Sequence, residues 1–328
     1  MTRAPTVLVT GGAGYIGSHA CKALARAGFA PVTYDNLARG HADLVKWGPL
    51  EIGDVRDRVR LDDILRRHRP IAALHFAAYA LVGESIREPM LYRDNNVRGT
   101  QSLLDALAAA RISPLVFSSS CAVYGTPARV PIDESFPTAP INPYGETKLE
   151  CERLIAAHET AHGARAVVLR YFNAAGADPD GDTAERHDPE PHVVPRAVLA
   201  ALGRLDAFEI FGADYETPDG TAIRDYIHVT DLADAHVLAL RHLLDGGAGG
   251  TFNLGIGHGY SVAEIVGCVE TITGKRIPVR AAPRRAGDPP ELVADPSRIR
   301  RSLGFAPKYV ELAQMVADTV RSFERRRV

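Results

Sequence analysis

The sequence predicts a doubly wound parallel α/β fold carrying a smaller C-terminal lobe, and three observations predict it. Short apolar, β-branched runs alternate with helical patterns through the first half of the chain. A glycine cluster stands directly between the first of those runs and the first helix. Near residue 176 the texture changes to Ala177-Asp178-Pro179-Asp180-Gly181-Asp182 and a run rich in Pro and Gly.

Taken in order, the strands are expected at 6–10, 31–34, 50–53, 72–76, 114–119 and 165–171, each a short apolar run bounded by polar or turn residues. The helices are expected at 15–27, 58–68, 91–110 and 145–162. Each is long enough to serve as the crossover between parallel strands. Residues 1–175 are read as one domain and 176–328 as the smaller lobe, with a strand and helix over 225–244 expected to rejoin the first domain. At 328 residues, a soft prior of about 150 per domain agrees with two.

Composition narrows the function. Apolar residues at 46% and charged residues at 24% are those of a globular chain. Forty acids against 38 bases leave a charge of -2, without the basic excess of a nucleic-acid binder. Any bound anion must therefore be held by a local cluster. Four cysteines, Cys21, Cys121, Cys151 and Cys268, have neither zinc nor disulfide spacing. They read as reduced thiols. The N-terminus runs straight into Val7-Leu8-Val9 with no export pattern. The apolar stretch Ile71 to Val82 is broken by His75 and shorter than the roughly 20 residues that span a bilayer. A soluble, cytoplasmic protein with no membrane or nucleic-acid partner is expected.

The glycine cluster is Gly11-Gly12-Ala13-Gly14-Tyr15-Ile16-Gly17-Ser18. After a strand and before a helix, this is the dinucleotide pattern of a Rossmann sheet: Gly11 for the tight turn, Gly14 for close approach to a pyrophosphate, Gly17 for helix packing. Asp35 ends the second expected strand, where a carboxylate accepts hydrogen bonds from a ribose and repels a 2'-phosphate. That favours NAD over NADP, with Arg39 as the residue that would argue the other way. Asp54 ends the third strand and is placed near the adenine.

Tyr144 and Lys148 lie four apart at the start of a helix and so share one face. A phenol is a poor base at its ordinary pKa of about 10, but a nearby ammonium and a positive nicotinamide favour phenolate. Tyr144 would then take a proton from an alcohol. Chance alone gives this spacing roughly 0.2 times in a chain with eleven Tyr and five Lys. Its position after the fifth strand adds to it, because that strand ends at Ser120, at the sheet edge where such folds bind ligands. Ser120 would share the proton.

The motifs GGAGYIGS, YDN at 34–36, HFAA at 75–78, DNNVRGT at 94–100, SSSCAVYG at 118–125 and NPYGETK at 142–148 resemble the extended short-chain dehydrogenase/reductase family. With RYFNAAG at 170–176, GTAIRDYIHVTDLADAH at 220–236 and RRAGD at 284–288, the resemblance is to its nucleotide-sugar 4-epimerases, almost end to end. It implies hydride transfer from C4 of a UDP-sugar to tightly held NAD, a 4-keto intermediate, and return to the opposite face, interconverting UDP-glucose and UDP-galactose. By the same resemblance Tyr144 is base and then acid, Lys148 tunes it and holds the nicotinamide ribose, and Ser120 assists at O4.

Cofactor contacts implied are Gly11, Gly14, Tyr15, Ile16, Gly17, Asp35 and Asn36, then Asp54, Val55, Phe76, Ala77 and Ala78, and finally Asn95, Lys148, Tyr171 and Phe172. Substrate contacts implied are Ser120, Tyr144, Asn173, His192 and Val193, followed by Phe211, Arg224, Arg285, Asp288 and Leu292. Arg224 and Arg285 suit a diphosphate, since forked guanidiniums neutralise it locally. A lone His192 is not expected to bind metal, and no metal site is expected.

Two positions depart from the family. Ala80 stands where some members carry a lysine facing the pyrophosphate. Leu292 stands where the sugar pocket is often walled by Tyr, which would admit a 2-acetamido group and UDP-N-acetylglucosamine. A 4,6-dehydratase is disfavoured because Cys121 and Ala122, not Asp-Glu, follow Ser120. Pentose and uronate 4-epimerases stay open, and a non-catalytic NAD sensor is disfavoured by the presence of Tyr144 and Lys148. The resemblance also implies a homodimer through helices 91–110 and 145–162.

Overall fold

The computed structural model describes residues 4–285 and 288–325. Ala286 and Gly287 of the 284–288 motif lie outside them. In chain order the first domain is built from β1 (Thr6–Thr10), α1 (Tyr15–Arg26), β2 (Ala30–Asp35), β3 (Leu50–Ile52), α2 (Arg58–His68) and β4 (Ala72–His75). Then follow α3 (Val82–Arg87), α4 (Pro89–Tyr92), α5 (Gly99–Ala110), β5 (Pro114–Ser120), α6 (Pro143–His162) and β6 (Arg165–Tyr171). The rest comprises β7 (Asn173–Ala175), α7 (Val193–Ala201), β8 (Phe208–Phe211), β9 (Ile223–His228), α8 (Val229–Leu244) and β10 (Gly250–Leu254). It closes with β11 (Gly259–Ser261), α9 (Val262–Thr273), β12 (Val279–Ala282), β13 (Glu291–Leu292), α10 (Ser297–Leu303) and α11 (Leu312–Arg325).

Seven strands form one sheet in the order β10-β6-β5-β4-β1-β2-β3, with every pair parallel. Successive side chains of a strand point to opposite faces, and β1 shows the consequence. Val7 and Val9 pack with Leu24, Leu232 and Leu240 of α1 and α8 on one face. Leu8 packs with Leu61, Leu103 and Leu107 of α2 and α5 on the other. Both faces are covered, as an all-parallel sheet requires. Strand order reverses between β1 and β4, and the crevice beyond their carboxyl ends is where such sheets bind ligands.

Two features differ from expectation. The seventh strand is β10, beside β6, which the sequence did not reveal. Of the segment at 225–244, helix α8 packs on the main sheet, but strand β9 pairs with β7, β11 and β13 in a separate small sheet. Its hydrogen-bonding edges are taken by β7, β11 and β13, none of which belongs to the main sheet. A third core, with Val194, Val198, Phe208, Ile265 and Met315, joins α7, α9 and α11.

The expected helix at 91–110 is also not uniform. A π-helical stretch spans Arg93–Arg98 before α5. Such bulges recur at functional sites because they re-aim side chains. Here Asn96 brackets the backbone of Tyr79, accepting from its N–H at 2.8 Å and donating to its carbonyl at 3.0 Å, while the neighbouring Asn95 lines the central cavity.

Candidate active site

A cavity of about 1020 Å³ opens along the carboxyl edge of the sheet, between the first domain and the small sheet. Its volume is at the top of the range for a single small-molecule site. The loop after β1 forms one wall. Gly11 has φ +73°, and a Cβ there would stand 2.6 Å from the backbone nitrogen of Ala77. A Cβ on Gly17 would stand 2.2 Å from the Gly11 carbonyl oxygen, whereas one on Gly14 would meet that oxygen only at 3.4 Å. The loop is thus pressed against the Phe76–Ala77 backbone just after β4, while a Cβ on Gly14 would make only an ordinary contact beside the cavity that Gly14 lines. Helix α1 begins with no side-chain cap and no acid in its first turn, leaving its positive end ready for an anion.

Asp35 closes β2 with its carboxylate accepting from the N–H groups of Ala13 at 3.1 Å and Leu37 at 2.8 Å. Burial pushes its pKa up, against these bonds. Lone pairs remain for a ribose. Arg39 is engaged with Glu84 at 2.6 Å. These residues fit NAD: a backbone cradle with no room for side chains, an uncapped helix end and a carboxylate at the end of the second strand.

Helix α6 supplies the reacting groups. Asn142 caps it by accepting from Gly145 N–H at 2.9 Å, and Pro143 occupies its first turn, so Tyr144 is already helical and is buried. Lys148, one turn on, donates to the Ser118 carbonyl at 2.9 Å. Burial lowers its pKa from 10.5 to about 8. Ser120 caps the turn after β5, accepting from Ala122 N–H at 3.1 Å. Behind them Glu152 accepts from Ser119 Oγ at 2.5 Å and from Arg170 Nε at 2.9 Å, tying α6 to β5 and β6.

In the free protein burial raises the pKa of the Tyr144 phenol well above 10, the neighbouring Tyr171 adds to the rise, and a hydrogen bond with Ser120 opposes it only in part; the expected phenolate rests on the positive nicotinamide as well as on the ammonium. Lys148 faces the ring without touching its hydroxyl, and desolvation dominates.

On the opposite wall, Arg224 of β9 is ion-paired with Asp288 and donates to the Pro289 carbonyl at 2.8 Å. Arg285 lies with its guanidinium 3.9 Å from the centre of the Phe211 ring. Both line the cavity with Asn173, Val193 and Leu292. The structure brings every site residue named from the sequence to this cavity except Asp54. Arg56 takes both carboxylate oxygens of Asp54, at 2.8 and 2.7 Å, and Asn36 donates to one at 3.0 Å; its neighbours Gly53 and Val55 line the cavity instead.

His192 is not alone either. It lies within 2.5 Å of Glu185 and 3.0 Å of Glu190, with His187 beside them. Sequence reading passed over this group, although Glu185-x-His187-x-x-Glu190-x-His192 was there to be seen.

A cradle for a dinucleotide on one wall, a Tyr/Lys/Ser group at the sheet edge and two arginines facing them define a nucleotide-binding enzyme of the doubly wound α/β class. The chain belongs to the NAD dependent epimerase/dehydratase family, whose model matches residues 7–255. A UDP-glucose 4-epimerase of Rhizobium meliloti (strain 1021) is 54% identical over 303 residues, 92% of each chain. Among solved structures, a UDP-glucose 4-epimerase from Brucella ovis in complex with NAD superposes with a TM-score of 0.95 at 53% identity, covering 98% of each chain. One from Bifidobacterium longum, in complex with NAD+ and UDP, gives a TM-score of 0.93 at 36% identity over 98% of each chain.

Proposed function

We propose that this enzyme is an NAD-dependent isomerase that interconverts UDP-glucose and UDP-galactose by inverting C4. The observation that carries the reading is the convergence on one cavity of Tyr144, Lys148 and Ser120 with the glycine cradle and with Arg224 and Arg285. Similarity to UDP-glucose 4-epimerases over nearly the whole chain supports it.

When bound on the cradle, NAD supplies the reversible acceptor for the C4 hydride and the positive charge that Tyr144 lacks in the free protein. Tyr144 Oη takes the O4 proton as C4 becomes a ketone and returns it when C4 is reduced on its other face, with Ser120 hydrogen-bonded to the same oxygen. General base catalysis of this kind contributes about 10²- to 10⁴-fold. Lys148 holds its ammonium toward the ring, and Arg285 and Arg224 bind the UDP diphosphate. For the second arginine this requires Asp288 to share its partner. No net redox change accompanies turnover.

The test is incubation of the purified protein with UDP-galactose without added reductant, following UDP-glucose by a coupled dehydrogenase. Absence of conversion overturns the reading. Leu292 at the cavity wall supports additional turnover of UDP-N-acetylglucosamine. The family resemblance supports a homodimer through α5 and α6, for which light scattering at twice the chain mass is the measurement. Among the described residues no helix is long and apolar enough to cross a membrane, and the free thiols support a cytoplasmic location.

A further inference from the structure

The structure assigns a divalent-cation site, of the zinc class, to Glu185, His187, Glu190 and His192 on the wall of the cavity. Each of the four offers one ligand atom, and these atoms all lie within 4.8 Å of one another. His192 Nδ1 is 2.5 Å from Glu185 Oε1 and 3.0 Å from Glu190 Oε1, while His187 Nδ1 is 3.1 Å from Glu185 Oε1 and 3.9 Å from Glu190 Oε2. Ligand atoms bound about 2.0–2.1 Å from a tetrahedral zinc stand roughly 3.3 Å apart. The observed spacings bracket that value.

The chemistry of the donors agrees. Two imidazoles and two carboxylates are an ordinary set for Zn²⁺ and neighbouring ions, and too rich in nitrogen for Ca²⁺ or Mg²⁺. Both carboxylate side chains are buried, at 5% and 6% exposure; the His192 imidazolium balances them in the metal-free chain, and, unlike an ammonium, an imidazole can give up its proton to a metal ion and become its ligand. The two imidazole rings lie 5.0 Å apart, and both turn Nδ1 toward the Glu185 carboxylate.

A second cluster in the same molecule shows the contrast. Asp178, Asp180 and Asp182 also converge, but the Lys22 ammonium sits among them at 2.6, 2.7 and 2.8 Å and is itself the cation. An ion at the Glu/His site would brace residues 185–192, which lead directly into α7 and carry His192 and Val193 at the cavity. The role is positional, and the inference stands apart from the proposed reaction.

The experiment is metal binding by the full chain. Protein stripped with chelator and dialysed is titrated with ZnCl₂ by calorimetry, and Co²⁺ is substituted to read the visible bands of a tetrahedral site. One Zn²⁺ per chain is expected, with a higher Tm when bound. His187→Ala and His192→Ala should each weaken binding more than about 100-fold, beyond the roughly 10- to 100-fold lost with an outer hydrogen-bond partner. Circular dichroism of each variant, and the milder His187→Gln, separate loss of ligand from loss of fold. No zinc bound by the wild type, or binding unchanged in folded His187 and His192 variants, overturns the assignment.

Discussion

The Lys148 ammonium lies 5.9 Å from the centre of the Tyr144 ring and is hydrogen-bonded not to the phenol but to the Ser118 carbonyl. The two groups are therefore not hydrogen-bonded to each other, and under the proposed reaction the proton moved in turnover is carried by Tyr144. Tyr144→Phe keeps the ring and removes the hydroxyl. It should retain bound NAD, measured after denaturation, and lose about 10²- to 10⁴-fold in kcat. Unchanged turnover would reject Tyr144 as the base.

The buried amine also sets a pH dependence. Because its pKa is depressed to about 8, the charged form is present below that pH and lost above it. The rate should fall above a midpoint at or below about 8, since a bound positive nicotinamide depresses the amine further. Folding stability has the opposite sign: between about 8 and 10.5 the unfolded chain holds the proton and the folded chain does not, so this group makes stability rise with pH. Lys148→Arg, with a guanidinium that stays charged, should abolish the falling limb.

At the cradle, two glycines should behave differently. Gly17→Ala forces a Cβ to 2.2 Å from the Gly11 carbonyl oxygen, and overpacking of this kind costs about 1–3 kcal/mol. NAD should be lost and Tm should fall. Gly14→Ala, with 3.4 Å to the same oxygen, should leave Tm nearly unchanged while weakening NAD binding. Equal Tm losses would contradict the geometry.

Lys22 ties α1 to the loop at 178–182. Its side chain and that of Asp178 are 9% and 3% exposed, but Asp180 and Asp182 are 73% and 47% exposed and screened by solvent. Lys22→Met should cost about 3 kcal/mol, the lower end for breaking a buried pair, read by denaturant unfolding. Adding Asp178→Asn should recover part of the loss, because it removes the buried charge left without a partner.

Leu292 bears on substrate breadth. It is buried at the cavity wall beside Arg224 of β9. Leu292→Tyr should reduce turnover of UDP-N-acetylglucosamine much more than that of UDP-glucose. Parallel changes in the two rates would remove Leu292 from the sugar pocket.

Legibility followed the range of the interaction involved. Strands β1 to β6 and the pairing of Tyr144 with Lys148 are local matters of period and spacing, and they stood in the sequence. Strand β10 did not, because Gly250-Thr251-Phe252-Asn253-Leu254 opens on glycine and holds only two apolar residues, Phe252 and Leu254, too weak a run to mark a strand. The π-helical stretch before α5 has one apolar residue, Val97, so no hydrophobic period sets it apart from an ordinary helix.

Taken alone, the sequence determined a dinucleotide cradle, an acid at the end of the second strand and a tyrosine one helical turn from a lysine, because backbone geometry makes each a short-range consequence of residue order. The tertiary structure decided which charges are paired: Arg56 engages Asp54, Asp288 engages Arg224, and Glu185 and Glu190 meet two histidines. It also decided that burial pushes the Tyr144 pKa upward in the free protein. Burial and ion pairing depend on what the chain folds across each group, and no spacing along the chain contains that.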